Sequence, residues 1–209
     1  RPDPRPHQTE AIEAVVEGFK NNDRGQLIMA CGTGKTFVSL WVKERISAQS
    51  TLVLVPSLSL LSQTLREWTF ASEETFSALC VCSDETVNKK YEEDQIIESV
   101  HDLSFPPTSN AETIRNFLKG NGSKVIFSTY QSSPLIAESQ SGTKSLAFDL
   151  VIADEAHKCT GETGSAFTTV LDNNLIKAKK RLFLTATAKT FSPNLLKTAS
   201  VYPAGGFPA

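Results

Sequence analysis

Residues 26–36 read Gln-Leu-Ile-Met-Ala-Cys-Gly-Thr-Gly-Lys-Thr, an apolar run that leads into a glycine-rich turn and a helix start. Successive backbone N–H groups in such a turn converge on an anion together with the helix N-terminus, so the stretch predicts a phosphate-binding loop. Gly32 and Gly34 let the backbone wrap closely, Lys35 would reach the β- and γ-phosphates, and the Thr36 hydroxyl is a candidate magnesium ligand. The general pattern has glycine five residues before Gly34, where this chain has Met29. A glycine-rich turn without a ligand is the alternative.

A second motif, Asp-Glu-Ala-His at residues 154–157, directly follows the apolar run 150–153. Open α/β sheets bind ligands at the carboxyl ends of their strands, so Asp154 is a candidate metal carboxylate. Glu155 would orient and deprotonate an attacking water, and His157 is better suited to relaying the nucleotide state. An acidic helix N-cap with a solvent-facing histidine is the alternative. The two motifs together favour a nucleoside triphosphatase.

Length and patterning predict one α/β domain. The 209 residues are 40% hydrophobic and 21% charged, ordinary values for a globular chain. Helix and strand signals alternate, which predicts a mostly parallel central sheet with helices on both faces. The predicted strands are 26–30, 52–55, 76–81, 124–128, 150–153 and 181–185. We predict one helix with its apolar face at 12–19 that ends near residue 25, and further helices over 36–47 and 58–68. We also predict a surface excursion at 84–110 with a helix near 91–100, a flexible loop at 139–144, and an exit from the domain at 201–209.

Charge and cysteine usage exclude several classes. A net charge of −2 and a pI near 6.0 argue against a simple electrostatic DNA-binding module. They do not exclude a motor that grips phosphates through backbone amides and hydroxyls. No apolar run approaches membrane-spanning length and the start has no signal-peptide pattern, so we expect no membrane partner and a cytoplasmic protein. The spacing of the four cysteines, Cys31, Cys80, Cys82 and Cys159, fits neither a zinc site nor a disulfide framework.

Three motifs carry a family resemblance. Residues 29–36, the Asp-Glu-Ala-His (DEAH) motif and Leu-Thr-Ala-Thr at 184–187 stand in the order seen in superfamily-2 helicases and translocases. The chain resembles most the branch with the motor subunits of type I and type III restriction enzymes and related predicted helicases. The resemblance runs from about Arg5 to Thr187.

That resemblance implies that residues 1–209 are the first RecA-like motor domain of a nucleic-acid-dependent ATPase. Such a domain binds ATP and Mg²⁺, hydrolyses ATP to ADP and phosphate, and drives movement on nucleic acid, for this branch double-stranded DNA. Motors of this superfamily have a second RecA-like domain across the nucleotide cleft, which we expect to be absent from these residues. The isolated domain is therefore expected to hydrolyse ATP weakly.

The resemblance also assigns residues. Arg5-Pro6-His7-Gln8 resembles the element whose glutamine reads adenine, although Gln8 could equally be a surface helix residue. The implied nucleotide-binding set is Arg5, Gln8, Cys31, Gly32, Thr33, Gly34, Lys35 and Thr36. Two further segments resemble strand-binding motifs, with Pro56, Ser57, Gln63, Thr129 and Tyr130 as the implied nucleic-acid contacts. Ordinary strand-to-helix turns are the alternative for both.

Thr185 and Thr187 resemble the motif that couples hydrolysis to strand movement, although Ala188 stands where the family often has proline. A basic cluster at Lys177, Lys179, Lys180 and Arg181 could touch phosphate or be a solvated helix end. Two other functions stay open: a nucleotide-switched scaffold with little turnover, and a metabolic P-loop kinase. The kinase is disfavoured because it has no use for the threonine and tyrosine motifs.

Overall fold

The computed structural model describes residues 1–82, 107–142, 146–156, 169–186 and 200–202. Its helices are α1 (Pro6–Asn21), α2 (Lys35–Arg45), α3 (Leu58–Ala71), α4 (Ala111–Lys119) and α5 (Ser133–Ser139). Its strands are β1 (Arg24–Ile28), β2 (Ser50–Val55), β3 (Ser77–Val81), β4 (Pro107–Thr108), β5 (Lys124–Thr129), β6 (Phe148–Ala153), β7 (Ala178–Thr185) and β8 (Ser200–Tyr202). Short 3₁₀ helices cover Tyr130–Ser132 and Thr169–Leu171.

The described strands form one sheet of eight in the order β4-β3-β5-β2-β6-β7-β1-β8. Every strand pair is parallel. Central strand β2 pairs with both β5 and β6, so that Leu52 lies beside Ile126 on one side and Val151 on the other. Parallel strands need crossover connections, and helices supply them here. The predicted fold class is confirmed.

Helices cover both faces because successive strand residues point to opposite sides. Val53 and Val55 belong to a hydrophobic cluster with α1, α2 and α3, whereas Leu52 and Leu54 belong to a second cluster on the other face with α4 and α5. On the first face, Trp68 of α3 packs edge-on against Phe127 of β5, with 5.6 Å between ring centroids. Such a pair contributes about 0.5–1.5 kcal/mol beyond its buried area.

Several element boundaries differ from the prediction. β1 lies two residues earlier than predicted, and β6 and β7 begin two and three residues earlier, because the residues before their apolar runs are also paired in the sheet. α4 was not predicted, although Asn110 caps it by accepting from the amides of Glu112 and Thr113. Ser139 ends α5 instead of opening a loop, and residues 201–202 belong to β8 instead of an exit from the domain. The predicted helix near 91–100 lies outside the described residues.

The basic cluster has a structural role, so the expected solvated helix end is wrong. Lys180 and Arg181 lie in β7, and their side chains bind main-chain carbonyls: Lys180 that of Phe19 at 2.5 Å, Arg181 that of Val170 at 3.0 Å. Lys177 also donates to a carbonyl, and Lys179 forms an ion pair with a carboxylate. The cluster stands at the amino end of β7, opposite the edge where the phosphate-binding loop lies.

The described residues contain no helix that is long and apolar enough to cross a membrane. Within the same residues, no group of three or more histidines, cysteines and acids is placed to hold a metal. Cys80 and Cys82 are buried, and burial raises the pKa of Cys80 to about 12.

Candidate active site

The sheet brings the motifs to one edge. Because all strands are parallel, the segments that follow β1, β2, β5, β6 and β7 all emerge at the carboxyl edge. Ile28, which precedes the glycine-rich loop, lies beside Thr185 of β7, and Phe183 of β7 lies beside Ala153 of β6. Only β7 lies between the strand before the loop and the strand before the acidic motif. The loop and the motif are thus two strand spacings, or about 10 Å, apart. That gap is the right size for a phosphate chain with a cation.

The loop depends on two glycines with left-handed backbones. Gly32 has φ 76° and Gly34 has φ 86°, a region that side chains disfavour. A Cβ at Gly34 would overlap Nε2 of Gln8, whereas a Cβ at Gly32 would meet nothing within 4 Å. Gly34 is therefore packed against α1, while Gly32 borders open space that an anion can enter.

The Lys35 side chain folds back over the loop. Its Nζ donates to the carbonyls of Met29 at 3.2 Å and Ala30 at 3.4 Å. The Thr33 hydroxyl donates to the same Ala30 carbonyl at 2.7 Å. Lys35 begins α2, so its ammonium and the helix N-terminus place positive charge together. A phosphate can compete for this ammonium, since two neutral carbonyls satisfy it less strongly than an anion.

Gln8 joins α1 to the loop. Its side chain is buried, with Oε1 accepting from the Arg5 amide and Nε2 donating to the Thr33 carbonyl, both at 2.8 Å. Arg5 itself is exposed at the N-terminus of α1. The structure therefore brings Gln8 against the nucleotide-binding loop and not onto the surface. Adenine recognition by Gln8 stays a prediction.

A link that sequence reasoning missed ties α3 to the start of α2. The indole Nε1 of Trp68 donates to the Thr36 carbonyl at 3.1 Å, and the Ser39 hydroxyl donates to that carbonyl at 2.7 Å. Sequence periodicity indicated only that Trp68 lies on the apolar face of α3. A buried indole N–H usually finds a partner, but the sequence does not say which.

The acidic motif forms a turn after β6 that hydrogen bonds hold in place. The Asp154 amide donates to the Leu54 carbonyl at 2.9 Å, and the Glu155 amide donates to Oδ1 of Asp154 at 2.9 Å. Glu155 has φ 51°, a left-handed conformation that is uncommon outside glycine. The hydroxyl of Tyr130 donates to the Asp154 carbonyl at 2.7 Å. Neighbouring main-chain and side-chain groups therefore hold the backbone of this turn in place.

The electrostatics of Asp154 favour a bound cation. Burial raises the pKa of Asp154 above its usual value, and the negative charges of Glu155 and Glu67 act in the same direction. The Glu155 amide and the positive charge of Lys35 act in the opposite direction without cancelling that rise. A divalent cation would favour the ionised carboxylate, as bound cations do. Binding of Mg²⁺ by Asp154 and Thr36 stays a prediction.

The predicted nucleic-acid contacts divide into two groups. Ser57 caps α3 by accepting from the Leu60 amide at 3.3 Å, beside the half-buried Pro56, while Gln63 is exposed on α3. The side chains of Thr129 and Tyr130 are instead fully buried. In this arrangement neither residue is accessible to a nucleic acid, because both are fully buried.

Of the two predicted coupling residues, the structure describes one. Thr185 is buried, and its carbonyl accepts from the Met29 amide at 3.0 Å, so the end of β7 is bonded to the start of the phosphate-binding loop. Thr187 and His157 lie outside the described residues.

Known proteins resemble this chain over most of its length. Residues 1–190 match the family described as "Type III restriction enzyme, res subunit". A protein of African swine fever virus described as "Probable helicase" is 33% identical over 199 residues, 95% of this chain and 21% of the viral protein. The chain therefore spans about a fifth of the length of this relative.

Solved structures give the same result. A nuclease-deletion mutant of the type ISP restriction-modification enzyme LlaGI, in complex with a DNA substrate mimic, is 36% identical with a TM-score of 0.76, over 98% of this chain and 20% of that one. The ATP-dependent type ISP enzyme LlaBIII bound to DNA is 38% identical with a TM-score of 0.75, over 89% and 13%. The Hef helicase domain of Pyrococcus furiosus, 17% identical with a TM-score of 0.56 over 97% and 39%, shares the fold.

Proposed function

The chain belongs to the family of type III restriction enzyme res subunits and is a superfamily-2 helicase motor domain, and we propose that it binds ATP with Mg²⁺ and hydrolyses ATP to ADP and phosphate. One observation carries the proposal. Lys35 and Asp154 come from motifs far apart in the chain, yet β1 and β6, the strands that precede these motifs, are separated only by β7. A phosphate-binding cation and a buried carboxylate that face one gap are the two halves of a nucleotide hydrolase site.

The loop would bind the phosphates. Backbone N–H groups around Gly32 and Gly34, with the N-terminus of α2, would face the β-phosphate, and Lys35 would leave its two carbonyls for the phosphate oxygens. Thr36 and Asp154 would hold Mg²⁺ from opposite sides. When bound, Mg²⁺ neutralises charge on the β- and γ-phosphates. Gln8, already against the loop, is our candidate for reading adenine.

Glu155 would act as the general base for the attacking water. In the proposed step Glu155 orients a water and accepts its proton as the water oxygen attacks the γ-phosphorus. The bond from that phosphorus to the β–γ bridging oxygen breaks, and ADP leaves with the electron pair. The left-handed turn that fixes Glu155 supports this role, because strained backbone persists where the surroundings hold it. With His157 as the relay, the motif would act as a DEAH box.

The motor domain would act on nucleic acid. The two type ISP relatives were solved with DNA, and we propose that this chain likewise acts on double-stranded DNA. The segment at Pro56, Ser57 and Gln63 is the candidate contact, with Thr185 and Thr187 coupling hydrolysis to movement. A second RecA-like domain would complete the site from across the cleft. An arginine supplied in this way accelerates other nucleotide hydrolases by about 10³–10⁵.

A pair of variants tests the proposal in the natural polypeptide that carries this chain. Lys35→Ala should weaken ATP affinity, because it removes the phosphate-binding charge. Glu155→Gln should keep ATP affinity but lower turnover by about 10²–10⁴, the usual contribution of a general base. Lys20→Ala and Glu17→Gln are matched controls, since both residues are exposed near the end of α1 that faces away from the loop.

Unchanged turnover in Glu155→Gln would contradict the assigned chemistry. Negligible wild-type turnover, combined with ATP-dependent binding to DNA, would favour a nucleotide-switched scaffold instead. Phosphate transfer to a small acceptor, detected by product analysis, would favour a kinase.

A further inference from the structure

Tyr130 reaches the acidic motif across an intervening strand. It follows β5, whereas Asp154 follows β6, and β2 lies between these strands. The Tyr130 ring is fully buried in the hydrophobic cluster that also contains Ala153 and Ala156, the residues on either side of the two carboxylates. Its hydroxyl emerges from this cluster to donate to the Asp154 carbonyl at 2.7 Å. The ring is thus fixed by packing, and its hydroxyl is bonded to the main chain of the acidic motif.

That hydrogen bond acts on the peptide that sets the direction of Glu155. The carbonyl of Asp154 and the amide of Glu155 belong to the same peptide unit, so holding the carbonyl fixes the plane from which Glu155 departs. The preceding amide, of Asp154, is held by the Leu54 carbonyl at 2.9 Å. Glu155 then has φ 51°, a conformation that costs a non-glycine residue free energy and that relaxes when it is not held.

We propose that Tyr130 is a positioning residue for hydrolysis: its hydroxyl holds the left-handed turn that aims Glu155, and so links the end of β5 to the water-activating carboxylate. This inference rests on the proposed ATPase function. The end of β5 also lies beside the candidate DNA-binding segment, because Thr129 of β5 pairs with Val55, the residue before Pro56. Binding of a DNA strand that moves this segment would shift Tyr130. The direction of the Glu155 side chain would change with it.

Tyr130→Phe tests the inference by removing one oxygen and keeping the ring. Ser139→Ala is the matched control: Ser139 is also fully buried, and its hydroxyl donates to the Ile136 carbonyl at the same 2.7 Å. Ser139 ends α5, away from the carboxyl edge. Each variant of the natural polypeptide is assayed for kcat and KM with ATP at saturating linear duplex DNA, for DNA affinity, and for melting temperature.

We expect kcat to fall about tenfold in Tyr130→Phe, while KM for ATP and DNA affinity stay within twofold. Ser139→Ala should lower the melting temperature to a similar extent and leave kcat unchanged. Equal kcat in wild type and Tyr130→Phe would overturn the inference and leave the proposed function standing. A loss of DNA affinity with unchanged kcat at saturation would overturn it too, because it would make Tyr130 a contact residue. A wild type without turnover would remove the proposed function, and the inference with it.

Amide hydrogen exchange in the wild type needs no variant and serves if Tyr130→Phe does not fold. Linear duplex DNA should change the exchange of the Asp154 and Glu155 amides, since the proposed link runs from the end of β5 to this turn. Exchange that DNA leaves unchanged at both amides would overturn the link.

Discussion

Gly34→Ala should destabilise the domain through a specific collision with Gln8. The new methyl group would overlap Nε2 of Gln8, which already donates to the Thr33 carbonyl at 2.8 Å. Gln8 cannot retreat freely, because its Oε1 accepts from the Arg5 amide at 2.8 Å and its side chain is buried. The substitution therefore strains the loop and displaces the residue that connects the loop to α1.

The magnitude follows from two contributions. An alanine at φ 86° costs about 1–2 kcal/mol for the left-handed backbone. Displacing Gln8 breaks two hydrogen bonds, each worth about 0.5–1.5 kcal/mol. We therefore expect Gly34→Ala to lower the free energy of unfolding by about 2–5 kcal/mol. Gly122→Ala is the matched control: Gly122 has φ 81° with nothing within 4 Å of the added methyl, so only the backbone cost of about 1–2 kcal/mol applies.

Urea unfolding of the single and double variants separates the two contributions. In a Gln8→Ala background the collision is absent, so Gly34→Ala should cost only about as much as Gly122→Ala. The difference between the two backgrounds then measures the contact between Gln8 and the loop. If Gly34→Ala costs the same in both backgrounds, the reasoning from the Gln8 contact is refuted.

Two further predictions concern stability and reactivity. Burial alone would raise the pKa of Asp149, but hydrogen bonds from Lys179 and from two main-chain amides outweigh it and hold the pKa below its usual value. Asp149→Asn should therefore lower the free energy of unfolding by about 1 kcal/mol at neutral pH. Measured by urea unfolding, this difference from wild type should shrink as the pH falls below about 4, and a difference independent of pH would contradict the prediction. At pH 8 a maleimide should label the exposed Cys31 well before Cys80, whose pKa is raised to about 12 by burial, and ATP should slow the labelling of Cys31. Peptide mapping that finds equal rates at Cys31 and Cys80 would contradict the assigned burial.

Local chemistry in the sequence accounts for most of the fold that we predicted. A phosphate-binding turn and a strand that is covered on both faces need particular residue types at adjacent positions. The loop at 32–36 and the strands at 52–55 and 150–153 could therefore be predicted from local sequence. The placement of Lys35 near Asp154 also followed, since parallel strands bring their carboxyl ends to one edge.

The contacts that the sequence did not predict depend on the tertiary arrangement, which no local pattern records. Tyr130 reaches Asp154 only because β5 and β6 lie on either side of β2, and no local pattern records that neighbourhood. Trp68 was correctly expected on the apolar face of α3, but its donation to Thr36 depends on how α3 packs on α2. The buried Arg181 was read as part of a surface charge cluster for the same reason, since its carbonyl partners are supplied by the segment that precedes β7.

The most direct test of the central claim is ATP turnover by the natural polypeptide, measured with and without linear duplex DNA. The account predicts turnover that duplex DNA stimulates strongly and that Glu155→Gln abolishes. Turnover that is absent under both conditions, or that survives Glu155→Gln unchanged, would contradict the claim that the glycine-rich loop and the acidic motif form one hydrolytic site.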